Sequence, residues 1–71
     1  MNTYILPYAN EDKAWIEKVR AKSFNEAKNR FMQKAVNDWD IDVPSDWNDF
    51  IDILKAEGCV IGKILDIEEL A

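Results

Sequence analysis

The chain has 71 residues, a net charge of −5, no histidine and one cysteine, and 48% of its residues are hydrophobic. This length accommodates a single domain over residues 1–71, and the apolar content argues against a disordered chain. Without histidine there is no ordinary nucleophile–base pair, and transition-metal sites lose their commonest ligand. We therefore expect a protein that is not an enzyme and holds no metal or cofactor.

The first residues lack the features of a targeting segment. No basic region precedes a long apolar stretch, so a secretory signal peptide is not predicted. No apolar run approaches the roughly 20 residues that a membrane-spanning helix needs. The lone cysteine, Cys59, excludes an intramolecular disulfide and is predicted to be a small buried side chain. We expect a cytoplasmic protein.

The first third of the chain predicts a β-hairpin. Thr3–Tyr8 is rich in β-branched and aromatic residues, and Pro7 favours an edge position or the end of that strand. Polar residues 10–12 predict a turn, and Lys13–Lys22 predicts a second strand whose side chains alternate between two faces. One face carries Trp15, Glu17, Val19 and Ala21, and the other carries Ile16, Lys18, Arg20 and Lys22.

A capping box predicts where the first helix begins. The Ser23 hydroxyl is spaced to accept the amide of Glu26, whose carboxylate reaches back, so a helix over residues 24–38 follows. Its inward face is predicted to carry Phe24, Ala27, Phe31, Ala35 and Trp39. Residues 38–43 alternate acidic and apolar side chains, which predicts an extended linker that buries its apolar members Trp39, Ile41 and Val43.

The remainder predicts a helix and a third strand. Ser45 is the expected N-cap of a helix over Asp46–Glu57, which Gly58 ends, and Cys59–Ile67 is the expected strand. The order ββααβ predicts an α+β domain, a three-stranded antiparallel sheet with two helices packed on one face. The three tryptophans are predicted to be core residues.

Charge is distributed unevenly along the chain. Residues 13–34 hold seven of the nine basic residues, whereas residues 35–71 hold ten acids and two lysines. Acids in the first turn of a helix are stabilised by its dipole, but this explains only part of the acidic stretch. The pattern Asp-x-Asp-x-Asp also opens a calcium loop, but Val43 occupies the position that needs glycine.

Two candidate binding surfaces follow from these charges. The acidic one, expected to engage a basic groove, consists of Asp38, Asp40, Asp42, Asp46, Asp49 and Asp52, with Trp47 as aromatic anchor. The basic one, a nucleic-acid-binding alternative, consists of Lys18, Arg20 and Lys22 on one sheet face, joined by Tyr4 if the first strand presents its tyrosines there. The simpler interpretation of each stretch is a solvated face, on which lysine stems cover apolar sheet surface in the basic case.

The run from Val19 to Ala27 has the form V-x-A-x-S-x-x-E-A. It resembles a stretch found in small phage-encoded proteins, including some anti-CRISPR proteins. The resemblance covers about a third of the chain, residues 13–36, and it transfers no functional residue because the motif is structural. It implies a single-domain inhibitor that binds a host defence complex by surface contact.

We therefore expect a small acidic inhibitor or modulator, encoded by a phage or another mobile element. Its expected partner is a host protein or ribonucleoprotein complex with a basic surface, which the acidic residues engage as a nucleic-acid mimic. Membrane binding is not expected, and the net charge opposes direct nucleic-acid binding. The alternatives are a small nucleic-acid-binding module and a homodimer in which the basic face of one copy meets the acidic face of another.

Overall fold

The structure, a computed structural model, describes residues 1–70 and is an α+β domain, as the sequence predicts. An antiparallel sheet is covered on one face by two main helices. The elements in chain order are β1 (Asn2–Ala9), β2 (Ala14–Ala21), α1 (Phe24–Trp39), α2 (Trp47–Ala56), β3 (Val60–Ile61), β4 (Leu65–Asp66) and α3 (Ile67–Leu70).

The hairpin of β1 and β2 sets the two faces of the sheet. The strands pair antiparallel over their full length, with Tyr8 opposite Trp15 and Tyr4 opposite Val19. The predicted alternation of β2 is confirmed, since its odd-numbered residues are more buried than its even-numbered ones. The placement of Tyr4 beside the basic residues is wrong: its side chain is buried on the covered face, because β1 turns its even-numbered residues inward.

Pro7 does not lie at an edge, because β1 is the central strand of the sheet. The third strand is instead broken into two pieces opposite it: β3 pairs with Tyr8 and Ala9, and β4 pairs with Tyr4 and Ile5. The Pro7 carbonyl accepts a hydrogen bond from the Gly62 amide at 3.0 Å. Proline has no backbone N–H, so it cannot donate a second hydrogen bond to the neighbouring strand. A Cβ at Gly62 would lie 2.8 Å from Pro7 Cγ, so the break also requires glycine.

Helix α1 begins at the predicted capping box. Ser23 Oγ accepts the Glu26 amide at 3.1 Å, while the Glu26 carboxylate reaches back to the Lys22 amide at 3.4 Å rather than to the cap residue itself. Ala27 and Phe31 are fully buried, as predicted. Phe24 is 46% exposed, because it lies at the rim of the core with its ring edge-to-face on Tyr4.

The linker after α1 differs from the extended segment predicted. The helix continues to Trp39, and Asp40 ends it in the left-handed region at φ 53°. Ile41 is half-buried, but Val43 is 79% exposed and Trp39 is 37% exposed. The left-handed residue redirects the chain after Trp39, so the regular alternation of an extended strand does not apply.

Asp46, not Ser45, caps helix α2. Asp46 Oδ1 accepts the Asp49 amide at 2.8 Å, and the Asp49 carboxylate accepts both the amide and the hydroxyl of Ser45. The apolar stripe of α2 is confirmed, with Phe50 and Leu54 buried. Gly58 follows the helix at φ 80°, a conformation that favours glycine.

The core lies between the sheet and the two main helices. Its largest fully buried side chains are Phe31, Phe50 and Leu6, and Cys59 is buried as predicted. The tryptophans are not in its centre, because phenylalanine and tyrosine already fill the space between the layers. Trp15 and Trp47 are half-buried, and the exposed Trp39 lies at the surface.

Candidate functional site

A cleft of about 560 Å³ lies between the hairpin, the end of α1 and the side of α2. This volume falls within the range of ligand-binding pockets. We call it the acidic cleft. Its lining contains two indole rings and five charged side chains among apolar ones: Trp15, Trp39, Lys13, Glu17, Asp40, Asp42 and Glu57.

An aromatic cluster forms one wall of the acidic cleft. The Tyr8 and Trp15 rings are stacked, with centroids 5.4 Å apart and planes 7° from parallel. Trp39 meets both of them edge-to-face, at 5.3 Å from Tyr8 and 6.0 Å from Trp15. Such aromatic pairs are favourable beyond their buried area. The cluster therefore fixes the Trp39 ring at the surface while part of it stays open to solvent.

Carboxylates dominate the electrostatics of the acidic cleft, where four acids face one lysine. Glu17 is partly neutralised by Lys34 of α1, whose Nζ lies 3.5 Å from its Oε2. Asp40, Asp42 and Glu57 form no ion pair within residues 1–70. Their negative charge is therefore available to an external cation.

Lys13 shows that this wall accommodates a positive charge. Its Nζ lies over the Trp15 ring, 5.1 Å from the centroid, within the distance at which cation–π attraction operates. The lysine is exposed and forms no ion pair among the described residues. The indole face, and no single carboxylate, thus positions this ammonium group.

Burial raises the pKa values of two groups at the acidic cleft, the Tyr8 phenol and the Cys59 thiol. Burial raises the pKa of the Tyr8 phenol well above its ordinary value, and the negative charge of Glu17 raises it further. Burial also raises the pKa of the Cys59 thiol, although a hydrogen bond with the Ala9 backbone opposes this. Because the thiolate is the nucleophilic form, Cys59 behaves as a small hydrophobic side chain.

The structure divides the predicted acidic residues into three groups. Asp40 and Asp42 line the acidic cleft. Asp46 and Asp49 are engaged in capping α2. The remaining two are exposed, in the last turn of α1 and on the side of α2: Asp38 and Asp52.

The aromatic anchor chosen from the sequence, Trp47, is not among the residues lining the acidic cleft. Its ring packs on Phe50 at 5.2 Å, and Lys28 lies over it at 5.9 Å. Sequence reasoning missed Trp15 and Trp39 as site residues. The position of Trp39 between two aspartates was the available signal.

The basic residues lie on the opposite, open face of the sheet. Lys18 and Arg20 are exposed there beside Ile16, and Lys22 follows the end of β2. The tyrosines of β1 and Trp15 all point to the covered face, so they supply no stacking surface for bases. Lys18 and Arg20 therefore flank an aliphatic surface.

The chain matches no protein-family model, no curated protein and no solved structure. No helix within residues 1–70 is both long enough and apolar enough to cross a bilayer. In the same residues, no group of three or more Cys, Asp or Glu side chains is arranged to hold a metal ion.

Proposed function

We propose that this chain is a small non-catalytic binding module whose acidic cleft docks onto a basic surface of a protein partner. The observation that carries this proposal is the exposed Trp39, which is fixed by two aromatic neighbours and lines the acidic cleft together with Asp40 and Asp42. Tryptophan is enriched among the residues that dominate binding energy at interfaces, and carboxylates steer and orient a basic partner.

The end of α1 supports a role for its acids outside folding. Asp38 lies in the last helical turn and Asp40 ends the helix, and that turn contains no basic residue. The C-terminus of a helix carries partial negative charge, so carboxylates there are unfavourable. Residues that break such local rules are concentrated at functional sites.

The biological form of the proposal is an inhibitor or modulator of a nucleic-acid-binding complex. Carboxylates beside an exposed ring resemble the alternation of phosphates and bases, so the acidic cleft would occupy a basic groove in place of nucleic acid. The resemblance of residues 19–27 to small phage-encoded proteins supports an origin in a phage or another mobile element. A net charge of −5 favours attraction to a basic partner at long range.

The second candidate, a nucleic-acid-binding module, is supported by the exposure of Lys18 and Arg20 on the open sheet face. Its proposed aromatic member Tyr4 is buried on the other face, and the whole-molecule charge opposes it. The third candidate, a homodimer that joins the basic face of one copy to the acidic face of another, uses the same exposed basic residues.

The proposal is tested with a peptide of alternating lysine and glycine as a model of a basic surface. A variant with Asp38, Asp40 and Asp42 all changed to Asn keeps side-chain size and removes three charges. We expect its affinity to be about tenfold lower at low salt, since each exposed charge pair contributes a few tenths of a kcal/mol or more. The affinity of the wild-type protein for the peptide should fall as the salt concentration rises. The wild-type protein should also displace labelled duplex DNA from the peptide.

The matched control removes the same number of charges elsewhere, through Glu11→Gln, Asp12→Asn and Glu69→Gln. None of these residues lines the acidic cleft. This control should keep its affinity within about threefold of wild type. Equal losses in the two variants would show that only net charge matters and would overturn the acidic cleft as the docking site. Binding of duplex DNA by the wild-type chain alone would favour the second candidate.

A further inference from the structure

We infer that the acidic cleft binds the guanidinium group of an arginine side chain in preference to a lysine ammonium. In this arrangement the guanidinium stacks on the exposed indole of Trp39 and pairs with the carboxylates of Asp40 and Asp42. The inference rests on the proposed function and specifies which chemistry of the basic partner the site selects.

The first step is the fixed position of the Trp39 ring. Edge-to-face contacts with Tyr8 and Trp15 restrain it, and yet 37% of the residue is exposed. Trp39 ends α1, and Asp40 holds a left-handed backbone conformation that redirects the chain at this point. A preorganised aromatic surface loses little conformational freedom when a ligand stacks on it.

The second step is the nature of the cation. A guanidinium is planar, weakly hydrated and able to pair with carboxylates through parallel N–H groups while its plane rests on an aromatic face. An ammonium is compact and strongly hydrated, so it gains less from an indole surface that is open to water. An aromatic ring adjacent to two unpaired carboxylates therefore matches arginine better than lysine.

The third step concerns Lys13, the cation already present in the acidic cleft. Its ammonium nitrogen lies over the Trp15 ring, 5.1 Å from the ring centroid. Trp39 is therefore the indole that remains available to an incoming cation. Lys13 also places a positive charge beside the site that an incoming guanidinium would enter. Removing this charge should strengthen arginine binding. This dependence separates a site within the cleft from a diffuse acidic surface.

The experiment compares three peptides in which glycine alternates with arginine, with lysine or with citrulline. Citrulline keeps the planar head group of arginine but carries no charge. Affinities are measured by titration calorimetry at low salt, and tryptophan fluorescence reports contact with the rings. We expect the arginine peptide to bind about fivefold more tightly than the lysine peptide, and the citrulline peptide to bind more weakly than both.

Variants then locate the preference. Trp39→Leu should abolish the discrimination between arginine and lysine, because the arginine peptide should lose about fivefold more affinity than the lysine peptide. Trp39→Phe keeps an aromatic ring and should retain part of the discrimination, which guards against a folding defect in the leucine variant. Trp47→Leu removes an indole that does not line the cleft and should leave the discrimination intact.

Lys13→Gln should increase the affinity for the arginine peptide about threefold. The control is Lys63→Gln, which makes the same charge change outside the cleft lining and should leave this affinity nearly unchanged. Equal affinities of wild type for arginine and lysine peptides would overturn the inference and leave the proposed function standing. Retention of the full discrimination in Trp39→Leu would also overturn it. Failure to bind either charged peptide would overturn both.

Discussion

The two ends of the interhelical segment contain the same residue type in opposite electrostatic settings. At the start of α2, Asp46 and Asp49 accept hydrogen bonds from backbone amides, where the helix dipole is positive. At the end of α1, Asp38 and Asp40 lie where the dipole is negative, and no basic residue is present in that turn. The first pair stabilises the fold through helix capping. The second pair destabilises the end of its helix, so fold stability does not account for its presence.

This difference changes how an acidic stretch should be interpreted. The sequence shows one run of aspartates from residue 38 to residue 52, but the structure separates the set at the start of α2 from the set at the end of α1. The set at the start of α2 stabilises its helix. In the set at the end of α1, Asp40 lines the acidic cleft together with Trp39, and Asp38 is exposed in the last helical turn.

The largest effect is expected at the cap of α2. Asp46→Ala should lower the free energy of unfolding by about 1 kcal/mol, because the Asp49 amide loses its acceptor. Urea denaturation measures the change. Asp46→Ser is the control, since serine caps helices as well as aspartate does and should preserve most of the stability. A loss of equal size in Asp46→Ser would show that charge, and not the capping hydrogen bond, matters at this position.

A somewhat smaller effect of opposite sign is expected at Asp40. Its backbone is left-handed, at φ 53° and ψ 41°, a conformation that costs most residues with a Cβ but not glycine. Asp40→Gly should raise the free energy of unfolding by about 0.5–1 kcal/mol while weakening peptide binding. Asp40→Asn removes the charge and keeps the backbone preference, so comparing the two variants separates strain from charge. Destabilisation by Asp40→Gly would contradict this account.

A still smaller gain is expected for Asp38→Asn. Removing this carboxylate from the negative end of the dipole should raise the free energy of unfolding by about 0.5 kcal/mol at low salt. The gain should disappear near 1 M salt, where the Debye length is about 3 Å. The loss caused by Asp46→Ala should persist there because it reflects a hydrogen bond. If both effects vanished with salt, the two sets of acids would not differ in kind.

The smallest effect at neutral pH concerns Tyr8, whose ring packs against Trp39 in the aromatic cluster at the end of α1. Its pKa is raised above the unfolded value of about 10, so the folded state retains the proton longer. The stability from the neutral phenol is therefore complete below pH of about 10 and is lost as the pH rises further. Tyrosinate absorbance and denaturation curves measure this. Tyr8→Phe should show a weaker alkaline decline, and an unchanged decline would assign it to other groups.

Local patterns in the sequence predicted much of the fold. The alternation of β2 grouped Lys18 and Arg20 on one face of the strand, and the Ser23 capping box located the start of α1. Only the packing of the helices showed that this face is the open one. These predictions succeed because strand periodicity and capping depend on residues close together in the chain. Pro7 shows the opposite case. It lies in a central strand, which the fold tolerates because the neighbouring strand is interrupted at Gly62.

The candidate site was predicted only in part. Asp40 and Asp42 line the acidic cleft as part of the predicted acidic surface, but Trp47 does not line it, and two of the acids cap α2. The choice between Ser45 and Asp46 as cap depends on a difference of one residue in where the helix begins. Sequence patterns resolve such boundaries poorly.

The sequence by itself determined the α+β class, the two faces of the hairpin, the amphipathic helices and the excess of acid after residue 35. The tertiary structure alone decided which acids meet an aromatic surface. Trp15, Trp39 and Glu57 come from three elements far apart in the chain and line one cleft only after the helices pack on the sheet. Tertiary packing therefore brings together the aromatic cluster, the carboxylates and Lys13. No periodicity within a single segment of the sequence relates these residues to one another.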